Sequence, residues 1–191
     1  MKDILMPLVQ TTLRDPRAAA TRIMSWKFDR QALWTALALV AIVNAFVVLL
    51  LVELSGSAMP MPGYTKSPLA LFMLIAGLMV LFVHAMYWAG LTVGGSGTLN
   101  DILAVLVWFQ ALRAAAQLGI VVVSLAIPSL GLLMSLVVAI WGFWILLNFI
   151  AVALNLSSVG HSLLVLFIAG VGLVLGLGLL LALIGLGGQG V

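Results

Sequence analysis

The chain has 191 residues, of which 65% are hydrophobic and 7% are charged, and its formal net charge is +3. So little polar surface cannot cover a water-soluble globule of this size, which excludes soluble function for all but the N-terminal segment. The sequence has no cysteine, which excludes disulfides, thiolate catalysis and cysteine-ligated metals.

Residues 1–32 form a basic leader ahead of the apolar part of the chain. A helix is predicted from Pro16 to about Trp26, because Asp15 can cap free amides and proline suits the first helical position. A second short amphipathic piece is predicted from Asp3 to Thr12. We expect the leader either to lie on lipid headgroups or to be a solvated segment that sets topology. Five of its basic residues would attract anionic lipid: Arg14, Arg17, Arg22, Lys27 and Arg30.

Five apolar stretches follow the leader. Each has the roughly 20 residues that a helix needs to cross a hydrocarbon core about 30 Å thick. The sequence therefore predicts an all-α integral membrane bundle of five transmembrane helices, residues 33–191, behind a short amphipathic cytoplasmic segment. The predicted spans are Leu33–Leu54, Leu69–Gly90, Ile102–Ile127, Leu132–Ala153 and Ser162–Ile184.

Arg113 lies near the middle of the third span, where a buried arginine costs about 2.5–3.5 kcal/mol on insertion scales. Gln110 and Gln117 share its helix face through their spacing. Counting residues along each span puts Asn44 level with Arg113, and His84 and Asn148 near that depth. We therefore expect one intramembrane polar cluster, made of Asn44, His84, Gln110, Arg113, Gln117 and Asn148.

Three interpretations of Arg113 stay open from the sequence. The arginine can fix helix packing by bonding amides and carbonyl groups. It can also meet a lipid phosphate or a carboxylate of a partner protein, or it can belong to an anion-transport site. Proton and cation relays in membranes usually contain carboxylates, and no Asp or Glu occurs at mid-depth in the predicted spans, so transport is the weakest of the three.

No catalytic or metal constellation is apparent in the sequence. His84 and His161 have no second ligand at metal-binding spacing. The stretch from Gly94 to Thr98 lacks the Lys-Ser/Thr pair of a phosphate loop and is predicted to be a tight turn with Thr98 or Asn100 as a helix cap. We expect no enzyme activity, no cofactor and no nucleic-acid partner. No arrangement of a histidine together with an acid is expected around five serines: Ser124, Ser135, Ser157, Ser158 and Ser162.

The fifth span is rich in glycine and contains one GxxxG pair, Gly172 and Gly176. Small residues allow two helix backbones to approach closely. We expect this helix to pack tightly, either within the bundle or against another chain.

The segment GGSGTLNDILAVLVWFQALRAAAQL, which covers the third span and the turn before it, resembles the Yip domain family of multi-span membrane proteins. Two further segments carry the resemblance: DPRAAATRIM resembles the leader of bacterial members, and WGFWILLNFIAVALNLSSVGHSLLVLFI resembles their fourth and fifth spans. The resemblance implies five helices with a cytoplasmic N-terminus. Eukaryotic relatives are associated with small Ypt/Rab GTPases, vesicle traffic and membrane shaping. This chain lacks their long N-terminal region, so we do not extend a Rab partner to it.

The sequence therefore favours a non-enzymatic protein of the bacterial cytoplasmic (inner) membrane. We expect it to act as a scaffold, assembly factor or accessory subunit through helix–helix and lipid contacts. Its expected partners are membrane lipids, anionic ones included, and a membrane protein or a second copy of the chain. The alternatives are a small-solute or anion transporter or channel, and a membrane-shaping or trafficking factor.

Six of the eight lysines and arginines lie in the leader, and basic flanks stay in the cytoplasm. Five spans then put the C-terminus outside, so a reporter fused after Val191 should be external. Protease access or labelling that puts both termini on one side of the membrane would contradict either one span or the orientation.

Overall fold

The computed structural model describes residues 2–54 and 67–183. The described residues contain seven helices and no strand, which confirms the all-α prediction. Five of the helices are long and apolar enough to span a membrane. In chain order the helices are α1 (Lys2–Arg14), α2 (Pro16–Ser25), α3 (Arg30–Leu54), α4 (Pro68–Thr92), α5 (Leu99–Ala126), α6 (Pro128–Ala153) and α7 (Val159–Leu183).

Helices α2, α4 and α5 begin at a residue whose side chain caps the first turn, rather than at their first apolar residue. Asp15 accepts a hydrogen bond from the Ala18 amide at 3.0 Å, and Pro16 follows it as predicted. Thr98 and Asp101 form a capping box at the start of α5. The apolar stretches therefore locate the spans correctly but place the starts of all five long helices one to four residues late. The predicted end of the fifth span, Ile184, lies outside the described residues.

Helix α5 is at the centre of the bundle and packs against α2, α3, α4 and α6, whereas α7 packs against α4 and α6. The connections after α4, α5 and α6 are at most six residues long and make consecutive helices antiparallel neighbours, and a single residue, Ile127, joins α5 to α6. The bundle therefore has two ends. We call the end with Arg30, residues 93–98 and residues 154–158 the leader end, and the end with Ile127 the far end.

The two turns of the leader end are packed against each other. The Ser96 amide donates a hydrogen bond to the Leu154 carbonyl oxygen at 2.9 Å. Gly94 has a φ of +88°, a value that suits glycine. A Cβ placed on Gly97 would overlap the Ala153 carbonyl oxygen. The predicted tight turn is thus present, and it holds the ends of α4, α5 and α6 together.

Helix α2 of the leader packs into the bundle, so the expectation that its apolar face lies on headgroups or in solvent is wrong for Ala19, Ala20 and Ile23, whereas Trp26 is exposed. Ala19 and Ala20 are 0% exposed and Ile23 is 2% exposed, because α2 packs against α5 and α6. The apolar residues of an amphipathic helix are equally suited to helices and to headgroups. The basic residues of the leader are nevertheless exposed: Arg14, Arg17, Arg22, Lys27 and Arg30.

Two tryptophans tie the corner between α1 and α2 to the long helices. The Trp108 indole N–H donates to Thr12 Oγ1 at 3.0 Å, and the Trp141 indole N–H donates to the Leu13 carbonyl oxygen at 3.2 Å. Trp108 is nine residues into α5 and Trp141 is twelve residues before the end of α6. The corner therefore reaches about 14–18 Å into the bundle from the leader end.

Gly97→Ala should lower the free energy of unfolding by about 1–3 kcal/mol, the usual effect of overpacking, because the Ala153 carbonyl oxygen belongs to a helix end that cannot move freely. Gly77 is the matched control, since it is an exposed helical glycine with no atom within 4 Å of an added Cβ. Gly77→Ala should leave stability unchanged or raise it. Both variants can be measured by SDS-induced unfolding in micelles, and equal stability of the two would contradict the packing described here.

Candidate functional site

Arg113 connects the central helix α5 to α3. Its Nη2 donates a hydrogen bond to Asn44 Oδ1 at 2.9 Å, and its Nε donates to Gln110 Oε1, one turn earlier on α5, at 2.8 Å. Asn44 donates in turn through Nδ2 to the Val40 carbonyl oxygen at 2.9 Å. That bond turns the Asn44 amide so that its oxygen faces the arginine. The polar contact between the first and third spans that depth counting predicts is therefore present.

The contacts of Arg113 leave its charge without a counter-ion in the described part of the chain. Both groups that it contacts are neutral amides. A guanidinium carries five N–H groups, and the two hydrogen bonds use two of them, so three have no acceptor among the described residues. The acids of the long helices, Glu53 and Asp101, lie at helix ends.

Arg113 also lines a groove of about 750 Å³ between α5 and α6, which we call the α5–α6 groove. Its walls are mainly apolar and include Phe109, Ile120 and Val138. Gln117 and Ser135 are further polar residues in the lining. Pockets that hold small molecules typically measure about 300–1,000 Å³, so this groove is large enough to hold one.

The corner of the leader contributes one wall of the α5–α6 groove. Leu13 lines the groove, and so does Trp141, whose indole N–H is bonded to the Leu13 carbonyl oxygen. Sequence reasoning missed this contact. Two tryptophans inside the predicted spans could have indicated such a contact, because an indole N–H in apolar surroundings usually has an acceptor.

His84 and Asn148 do not join Arg113, so the predicted six-residue cluster is wrong in these two members. His84 Nδ1 lies 2.8 Å from the Val80 carbonyl oxygen of its own helix, and Asn148 donates to the Trp144 carbonyl oxygen at 2.9 Å. They lie eight and five residues before their helix ends, about 12 and 8 Å from the leader end, whereas Arg113 lies about 21 Å from it. The four members that share the region are Asn44, Gln110, Arg113 and Gln117.

Gly172 and Gly176 of the fifth span are exposed rather than packed. A Cβ added to Gly172 or Gly176 meets no atom within 4 Å, so packing of this pair within the bundle is not found among the described residues. Helix α7 instead buries Ser162, Val165 and Ala169 from its first half. Packing of the pair against another chain stays a prediction.

The described residues contain no group of three His, Cys, Asp or Glu that could hold a metal ion. Ser158 Oγ lies 2.7 Å from His161 Nδ1, but a serine–histidine pair without an acid is not the arrangement of a catalytic serine. The same hydroxyl accepts the His161 amide at 3.3 Å, which makes the pair a cap on the first turn of α7. No acid contacts His161 in the described part of the chain.

Comparison with known families identifies the chain. Residues 11–182 match the family model of the Yip1 domain. The chain belongs to the Yip1 domain family. No curated protein and no solved structure matched it. With its five long apolar helices, this Yip1 domain is a multi-pass integral membrane protein, and the family match begins inside α1, so it includes the α1–α2 corner that lines the groove.

Proposed function

We propose that this Yip1 domain protein is a non-enzymatic scaffold, assembly factor or accessory subunit that works through helix–helix and lipid contacts. The observation that carries the proposal is the open space beside Gly172 and Gly176. A glycine inside a helix is about 1 kcal/mol less favourable than alanine. Since these two make no close contact within the described chain, close approach of another helix would explain why glycine is present there.

The rest of α7 supports the same proposal. The residues that α7 buries lie in its first half, where it packs on α4 and α6. In its second half Val174 and Leu175 are 72% and 67% exposed. Exposure of apolar side chains is ordinary for a helix in lipid, so the spacing of the glycines, and not the apolar surface, points to a second chain.

The proposal also covers the membrane in which the protein lies and its orientation there. We infer a bacterial cytoplasmic membrane with the leader end facing the cytoplasm, because the exposed basic residues of the leader favour that side. Anionic lipids of the inner leaflet are then among the expected partners.

An anion transporter is the second candidate, favoured by the position of Arg113 on the α5–α6 groove. We rank it second because, among the described residues, the groove is lined by α5, α6 and Leu13 alone. A path for an anion through the bundle would have to be lined by residues of other helices as well.

The absence of cysteine from the sequence allows a single thiol to report on the glycine face. Gly172→Cys or Gly176→Cys, labelled in native membranes with a maleimide–benzophenone and irradiated, should cross-link to another chain, because the close contact is on that face. Val174→Cys is the matched control on the opposite face and should not cross-link. The mass of the product on a gel distinguishes a second copy from a different protein.

A second pair of variants separates association from folding. Gly172→Leu should abolish the cross-link from Gly176→Cys while leaving thermal unfolding unchanged, since the added side chain has open space in the monomer. Equal cross-linking from all three positions, or none from any, would contradict the proposal. Saturable anion flux in sealed liposomes that disappears in a folded Arg113→Ala protein would favour the transporter instead.

A further inference from the structure

The α1–α2 corner carries charge deep in the bundle. Arg14, Asp15 and Arg17 are exposed there, next to Leu13, which lines the α5–α6 groove. Charged side chains are costly in hydrocarbon, so headgroups or water must reach the level of this corner. Trp108 and Trp141, which donate hydrogen bonds to it, are residues that favour such a boundary.

The boundary between hydrocarbon and headgroups at the α1–α2 corner puts Arg113 within reach of the headgroup layer. Trp108 and Arg113 are five residues apart on α5, which is about 8 Å along the helix axis. An arginine can cover much of that distance by laying its aliphatic stem along apolar surface while its guanidinium approaches the polar layer. The apparent mid-span position of the arginine is therefore compatible with contact to a headgroup.

We propose that the α5–α6 groove binds one anionic phospholipid, whose phosphate pairs with Arg113 and whose acyl chain lies along the apolar wall. Charge complementarity carries the assignment, since the arginine has only neutral amide partners and three N–H groups without an acceptor in the described chain. The planar fork of a guanidinium matches two phosphate oxygens at once. The inference rests on the proposed function, because it names the lipid class behind the lipid contacts.

The dimensions of the groove favour a lipid over a helix of another protein. From Phe109 to Ile120 the groove wall runs along twelve residues of α5, or about 16 Å. That is close to one leaflet of a hydrocarbon core about 30 Å thick. A partner helix with its side chains is about 10–12 Å across, so it would lie over a groove of 750 Å³ rather than in it.

Native mass spectrometry of the delipidated full-length chain tests the charge preference. Phosphatidylglycerol and phosphatidylethanolamine with identical acyl chains are the probes. We expect one phosphatidylglycerol per chain, bound about tenfold more tightly than phosphatidylethanolamine, because both lipids carry the phosphate but the ammonium of phosphatidylethanolamine repels the guanidinium and competes with it for that phosphate. Arg113→Gln should lose that preference. Arg22→Gln removes an exposed charge from α2, outside the groove, and should keep it.

Two further variants test the position of the acyl chain without touching Arg113. Ala139 lines the groove, and Ala139→Trp should reduce binding of both lipids by filling it. Leu132 is 72% exposed on α6 and is not part of the groove lining, so Leu132→Trp should have no effect. If Arg113→Gln fails to fold, Arg113→Lys replaces it and should weaken the preference, because a lysine offers no planar fork.

Equal binding of the two lipids, a preference that survives loss of Arg113, or full binding to Ala139→Trp would overturn the proposal. The proposal would also be overturned if another protein cross-links to a thiol at Ala139→Cys when Arg113 is present but not when Arg113 is replaced. The anion that pairs with Arg113 would then be a carboxylate of that protein. The lipid site can fail while the cross-link at Gly172 and Gly176 stands, because α7 contributes nothing to the groove lining. The two proposals therefore fail separately.

Discussion

A single arginine in an apolar helix sets the main energetic constraint on this bundle. An unsupported arginine at such a position costs several kcal/mol, and Arg113 is supported by Asn44 from α3 and by Gln110 from its own helix. Because α5 is the helix around which α2, α3, α4 and α6 pack, this contact fixes α3 against the centre of the fold. Neutral amides satisfy two of the donors, and no acid of the described residues balances the charge itself.

The leader meets a second energetic requirement of the long helices, which is the need of buried donors for hydrogen-bond acceptors. Trp108 and Trp141 each place an indole N–H among apolar helices, and each N–H requires an acceptor. The α1–α2 corner supplies both, through the Thr12 hydroxyl and the Leu13 carbonyl oxygen. In doing so it carries exposed charges to within about 8 Å of the level of Arg113 along α5. The leader and the arginine therefore belong to one polar region on one side of the bundle, with the α5–α6 groove between them.

Features set by local chemistry were predictable from the sequence. The Asp15 and Thr98 caps depend on neighbours in the chain, the five spans depend on length and hydropathy, and Asn44 has the same residue count from its helix start as Arg113. The sequence did not predict which helix, lipid or second chain a given side chain contacts. The apolar face of α2 suits headgroups and helices equally, and His84 and Asn148 bond carbonyl groups of their own helices. Glycine spacing likewise does not reveal which chain packs on Gly172 and Gly176.

A double-mutant cycle between Asn44 and Arg113 tests most directly whether their contact holds α3 to α5. The free energy of unfolding in mixed micelles is measured for Asn44→Ala, Arg113→Ala and the double variant. The hydrogen bond predicts a coupling energy of about 0.5–2 kcal/mol. The control cycle pairs Asn148→Ala with Arg113→Ala and should give no coupling, because among the described residues Asn148 bonds the Trp144 carbonyl oxygen of its own helix and not Arg113. Additive losses for Asn44 and Arg113, with a coupling energy near zero, would contradict the account.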